Sequence, residues 1–256
     1  MSAIRPDLSF PVSGMLVDPE EDRIRRGLLR HVREAAAAHR RLPGEFDLAA
    51  ELGCTRVQVR QALADLDRIH VVRRRQGAPT MVDPLGLRLT ARLEDQLDHA
   101  DLLSRLGYRA HVETLSRQPA GRLADQVAAL LGVPADTRAV SVLKRWTADD
   151  VPAMVAEDIL LLPPGVDEAP DGSLFDAAAS LWGEAVSWEI TTPSATAADA
   201  RLAGLLGLEE WSPLLVFETV GMATRGRRVF YALEHHRPDL VSYSVVRTVR
   251  PPWSTT

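Results

Sequence analysis

The sequence predicts an α+β protein of two domains. A small helical head closes in a two-stranded hairpin, and a larger domain sets helices beside an antiparallel sheet. Three observations carry this. A block of short helical patterns with an arginine excess occupies residues 21–82. Beyond it, helical and strand patterns alternate, and two strand pairs are joined by turns as short as "TADDVP" and "TRGRR". A parallel return needs a crossover of about a dozen residues, so those pairs are antiparallel. Third, "AALLGVPADTRAVSVL" recurs as "AGLLGLEEWSPLLVFE", with Gly132 and Gly207 at matching places. That repeat predicts two related halves around one shared sheet.

Residues 1–20 are polar and Pro-punctuated and are expected to form a loose arm. "RIRRGLLRHVREAAAA" puts Ile24, Leu28 and Val32 on one helical stripe. Pro43 permits a new start, and "EFDLAAEL" gives a second helix that stops at Gly53. Thr55 is placed to cap a third, whose stripe is Val59, Ala62, Leu63 and Leu66. "HVVRRRQGAPTMV" reads as the hairpin. "DPLGLRL", residues 83–89, is expected to be a linker before a domain spanning 90–253. There "TARLEDQLDHADLLSRLG" reads as one helix, and "GRLADQVAALLG", "SLFDAAASLW" and "ATAADARLAGLLG" as others. "HVETLSRQ", "RAVSVLKRWT", "AMVAEDILLL", "AVSWEITT", "PLLVFETVGMAT", "RRVFYALEHH" and "SYSVVRTV" read as strands.

Composition narrows function. Of 30 basic and 35 acidic residues, 13 arginines and 8 acids lie between Glu21 and Gln76. The head therefore carries +5 and the remaining 17 basic and 27 acidic residues carry −10. A basic block joined to an acidic one predicts two domains with different partners. No apolar run reaches the roughly 18 residues of a membrane span, and no secretory signal is evident, so the expected compartment is the cytoplasm. The single cysteine, Cys54, excludes an internal disulfide or a Cys-based zinc site, and reads as a small buried residue. No Gly-x-Ser-x-Gly, no His-Glu-x-x-His and no phosphate-cradling glycine loop is present, so neither enzyme activity, metal nor cofactor is expected.

Two short helices joined at "LGCT", preceded by a third, form a helix-turn-helix. Its second helix has the width of the DNA major groove, where Arg pairs bidentately with guanine and Gln with adenine. Arg56, Gln58 and Arg60 stand at its N-terminal turns, and Arg73, Arg74 and Arg75 on the hairpin suit phosphates.

"LPGEFDLA", "LGCTRVQVRQAL" and "RRQGAPTMV" closely resemble the winged helix-turn-helix of the GntR family of bacterial transcription regulators. The resemblance implies a DNA-binding set of Glu45, Thr55, Arg56, Gln58, Arg60, Arg73, Arg74, Arg75, Gln76 and Gly77. Phe46 stands where the family usually has Arg, Pro79 replaces the second wing glycine, and Ala78 a residue that is often basic. "LADQVAALLGVPADTRAVSVLKRWTADDVPAMVAEDIL" and "VFYALEHHRPDLVSYSV" resemble the UTRA effector domain of that family's HutC branch. This implies a chorismate-lyase-like fold with a small-molecule cleft, a homodimer, and repression of a palindromic double-stranded operator. Effector contacts carried over by the resemblance fall on Thr90, Lys144, Trp146, Glu157, His235 and Tyr243. Trp146 replaces the second of two arginines, which turns the expected effector from a sugar phosphate toward an anionic or aromatic metabolite. Strand neighbours alternate, so Arg145 should face away from Lys144, and only one of Glu157 and Asp158, and one of His235 and His236, should face in. Rival readings are a lyase-type enzyme and a constitutive DNA-binding protein whose pocket its own side chains fill.

Overall fold

The computed structural model describes residues 19–75, 78–88, 90–95 and 97–245. It divides into two compact units. One takes residues up to Leu93, Ser104–Tyr108 and the chain from Tyr243, and the other takes Glu94–Leu103 and Arg109–Ser242.

The first unit contains α1 (Pro19–Ala37), α2 (Glu45–Leu52), α3 (Arg56–Arg68), β1 (Val72–Arg73), β2 (Met81–Val82) and α4 (Pro84–Arg88). The stripe Ile24, Leu28, Val32 is fully buried against Leu48, Val59, Leu63 and Val71. Gly53, in the left-handed conformation at φ 60°, ends α2. Thr55 then caps α3 through a reciprocal capping box with Gln58. The strands pair antiparallel, Val72 with Val82 and Arg73 with Met81. Cys54 is half-buried against this core, and burial raises its thiol pKa. The expected linker is instead helix α4. Asp83 accepts from the Gly86 amide, Pro84 opens the first turn, and Leu87 packs on the head core. Gly86 permits this: a Cβ there would fall 1.7 Å from the His70 carbonyl oxygen.

The second unit adds α5 (His99–Arg105), β3 (Ala110–Pro119), α6 (Asp125–Leu131), β4 (Ala139–Ala148), β5 (Val151–Leu161), α7 (Leu174–Trp182), β6 (Val186–Ala197), α8 (Ala200–Leu206), β7 (Pro213–Ala223) and β8 (Arg228–His236). The last residues of α5 fall in the first unit. One six-stranded sheet runs β3-β4-β5-β8-β7-β6, with every pair antiparallel. The repeat is visible in it. β3-α6-β4-β5 and β6-α8-β7-β8 are two like halves joined where β5 meets β8, and Gly132 and Gly207 end α6 and α8 in the same left-handed conformation.

Three expectations shift. The helix expected from residue 90 begins only at His99, where the Asp98 carboxylate accepts from the Ala100 amide; upstream, Ala91 and Leu93 bond extended backbone at Ser244. The strand expected at "SYSVVRTV" is, among its described residues, a single bridge from Ser244 to Arg92. β6 runs on to Ala197, so α8 starts at Ala200 rather than at the preceding "ATAA".

Both faces of the central strands are covered, while β3 and β6 at the edges stay largely exposed. α7 packs on Val140, Val142, Leu160, Phe230 and Ala232. α6 and α8 pack on the reverse, over Leu161, Val220 and Tyr231 and over Val155 and Leu214.

Candidate functional site

The head gathers its arginines on one carboxylate. Glu45, at the start of α2, accepts from Arg60 on α3 at 3.0 Å and from Arg74 beyond β1 at 2.7 Å, with Arg56 at 3.9 Å. Arg74 also donates to the Arg60 carbonyl at 3.3 Å. The Arg60 guanidinium holds the Glu45 carboxyl below the ordinary range despite some burial. Arg56 keeps 58% of its side chain exposed at the first turn of α3, beside exposed Val57 and Phe46. Arg73 pairs with Asp83 at 2.8 Å, and Arg75 is exposed.

In the second unit, pairing register builds a polar cluster on the α7 side of the sheet. Lys144 and Trp146 lie opposite Ala156 and Met154 of β5, which lie opposite Glu234 and His236 of β8. Asp158 shares that face and is 2% exposed. His99 of α5 meets it from above: its Nε2 lies 3.3 Å from Glu234 Oε1, while His236 Nε2 lies 3.1 Å from Glu234 Oε2. The rings stack edge-on, His99 to Trp146 at 4.9 Å, His99 to His236 at 5.1 Å and Phe217 to His236 at 4.9 Å. Lys144 Nζ donates to the Gly172 carbonyl at 2.9 Å.

The electrostatics follow from burial and pairing. Burial opposes charge on His99, but the Glu234 carboxylate outweighs it and raises the imidazole to about 9. Burial likewise opposes the Glu234 charge, yet His99 and His236 hold that carboxyl well below the usual range. His236, desolvated, is pushed down. Asp158 is pushed up to about 7 by burial, with Lys144 pulling against it. The cluster is a set of opposed charges largely withdrawn from water, with His99 and Glu234 still 18% and 14% exposed.

A separate cleft of about 420 Å³ lies at the β7–β8 turn, lined by Leu131, Trp182, Gly226, Arg227 and Arg228 among others. Arg227 stacks on Trp182 at 4.6 Å, and Arg228 donates to the Leu130 carbonyl at the end of α6. Along β8 it stands about six residues from the cluster, on the order of 20 Å.

Comparison with known proteins places these two arrangements together. The model for bacterial regulatory proteins of the gntR family matches residues 21–82, and that for the UTRA domain matches residues 105–242, more than half of the chain. The chain belongs to the gntR family of regulators and carries a UTRA domain. An HTH-type transcriptional regulator of Mycobacterium tuberculosis, Rv0792c, is 28% identical over 215 residues, 80% of this chain and 77% of that one. PhnF of Mycobacterium smegmatis shares the fold at TM-score 0.56 and 22% identity, covering 89% of this chain and 100% of its own. Its effector domain alone superposes at TM-score 0.53 and 21% identity, over 59% of this chain and 94% of its own.

Within this gntR-family regulator the expected DNA-binding residues divide. Glu45, Arg56, Arg60 and Arg74 converge on one surface. Thr55 and Gln58 cap α3: the Gln58 Oε1 accepts from the Thr55 amide and hydroxyl at 2.9 Å each. Bidentate pairing with adenine would need that same oxygen, so Gln58 would have to release this cap to read a base. Gln76 and Gly77 lie outside the described residues. The expected effector residues divide as well. Lys144 and Trp146 come together, whereas Glu157 and His235 point to the opposite face, where Glu157 pairs with Arg201 and Arg145 with Glu113. Thr90 and Tyr243 belong to the first unit. Asp158, Glu234, His236 and His99 take the inward places. The alternation rule held two of these as alternatives, and nothing local marked His99.

Two measurements follow from this geometry. Glu45→Ala frees Arg60 and Arg74 and removes one negative charge from the surface where the arginines gather. Affinity for random duplex is expected to rise while preference for a selected operator falls, by about tenfold, in competition titrations at fixed salt. An unchanged preference would show that these arginines need no anchor. Asp158 holds its proton more tightly folded than unfolded. Its contribution is complete below about pH 4 and is lost as pH rises through about 7, with a slope of up to about 1.4 kcal/mol per pH unit. Urea melts between pH 4 and 8 should show that slope, and Asp158→Asn should flatten it.

Proposed function

We propose that this regulator is a cytoplasmic, homodimeric repressor that binds a palindromic operator through α3 and leaves it, or reorients on it, when a small metabolite enters the second unit. The observation that carries this reading is the arginine set of the head. Arg60 and Arg74 are fixed by Glu45 beside an exposed Arg56, on a helix whose first turn is capped and free of acidic residues. A groove-entering helix needs such a surface, and a twofold dimer presents it twice at a set spacing. Lys144 and Trp146, on the face that also holds Asp158 and the histidines, suit an anionic or aromatic effector. The effector must prefer one arrangement of the heads, because equal affinity for both shifts nothing.

The test joins operator selection with thermal shift of the full chain against a metabolite panel. A binding metabolite raises the melting temperature and lowers operator affinity. Lys144→Ala is expected to leave operator affinity unchanged and to weaken the metabolite's effect about tenfold, since it removes a buried charge-assisted contact. A full response in that variant would remove Lys144 from the effector site. Trp146 is 6% exposed and stacked on His99, which favours a second reading in which the protein's own side chains fill the pocket and DNA binding is constitutive. Under that reading no metabolite shifts the melt.

A further inference from the structure

We propose that His99, Glu234 and His236 form a site for a divalent transition-metal ion, with zinc the ion best matched to the donor set. No metal is expected from the sequence, where no ligand spacing is visible and these three residues span 138 positions of chain. Glu234 and His236 are two apart on β8 and so face the same way, and His99 arrives on α5. Their ligating atoms all lie within 4.8 Å of one another. The two nitrogen–oxygen separations are 3.3 and 3.1 Å. Zinc bound at about 2.0–2.1 Å in a tetrahedron sets its ligands about 3.4 Å apart, so the two nitrogen–oxygen pairs already stand near coordination spacing and the two imidazoles close on the ion from within 4.8 Å.

Three further features distinguish the triad from an ordinary ion pair. Each carboxylate oxygen of Glu234 faces a different imidazole, so a cation between the three replaces both contacts at once. The rings are held in orientation by Trp146 and Phe217, which lowers the ordering cost of coordination. His99 Nδ1 is buried without a hydrogen-bond partner, so no second contact of this ring has to break for its Nε2 to turn from Glu234 to an ion. Two histidines and one glutamate leave a fourth position for water or a donor atom of a small molecule. The site stands on these residues alone and does not depend on the effector reading.

The full, untagged chain, stripped with a chelator and dialysed, is titrated calorimetrically with Zn²⁺ and, in parallel, with Co²⁺ followed by visible absorption. The expected result is one ion per chain, with four-coordinate cobalt bands. X-ray absorption of the zinc-loaded wild type should show two imidazoles and no sulfur, a reading that needs no variant to fold. His99→Gln and His236→Gln should abolish the bands, whereas His235→Gln, on the opposite sheet face, should keep them. Failure of the wild type to bind either ion overturns the proposal, as does a metal shell without two imidazoles or bands that survive in His99→Gln. Operator and metabolite binding by the stripped protein are read separately, so their loss or survival is told apart from that of the metal site.

Discussion

Phe230→Ala is expected to lower the stability of the second unit by about 3–5 kcal/mol, the range for emptying an aromatic side chain from a closed core. Phe230 is 1% exposed and is the third residue of β8, opposite Leu160 of β5 and Gly221 of β7. Its ring occupies the space above Gly221, where a Cβ would lie 2.1 Å from it, and meets Phe175 of α7 at 6.0 Å. The gap left by truncation is bounded by sheet backbone below and helix above, and neither collapses easily. Urea denaturation followed by tryptophan fluorescence of this unit reads the loss. A change below about 1 kcal/mol would mean that α7 settles into the gap. Because Phe230 shares a face with the Lys144 cluster, the same variant is expected to weaken any ligand held there.

Arg56→Ala should cost about 1–3 kcal/mol on operator DNA, a loss of about five- to 150-fold, and relax the preference at one base pair. Arg60 and Arg74 are held by Glu45 at hydrogen-bond distance, but Arg56 stands 3.9 Å from it and is largely exposed. It is the guanidinium of the three with least to give up on reaching a guanine edge. Anisotropy titrations at one salt concentration, with operators altered one base pair at a time, separate the two effects. A uniform loss across all sequences would make Arg56 a phosphate contact, and no loss would remove it from the interface.

The head was legible because its signals are local. The stripe Ile24, Leu28, Val32 repeats at helical spacing, and "LGCT" marks the turn. The capping role of Gln58 was legible as well, since Thr55 and Gln58 stand three apart in the capping-box pattern. Glutamine also suits base reading, and the sequence does not choose between the two tasks. Helix α4 was hidden by Pro84 and Gly86, which read as breakers until the His70 carbonyl is seen pressed against Gly86. In the sheet, the two-halved plan followed from the repeat around Gly132 and Gly207. Which of Glu157 and Asp158, or His235 and His236, turns toward Lys144 did not. Helices cover both faces, so β5 and β8 carry apolar residues on each side and the alternation has no solvent face to set its phase. His99 comes to Glu234 from 135 positions away through tertiary packing alone.

The first unit is assembled from three separated stretches of chain. Gly107, at φ 83°, lies so close to Leu29 of α1 that a Cβ there would meet its carbonyl carbon at 2.7 Å, and Arg33 rests 3.4 Å over the Tyr108 ring. Ser244 exchanges backbone bonds with Ala91 and Leu93. A fragment ending at residue 89 would strip away that tyrosine and glycine and uncover the α1 surface they shield. Expressed alone, such a fragment should be less soluble and melt lower than the same segment within the intact polypeptide, so the DNA-reading half is best dissected by point substitution rather than by scissors.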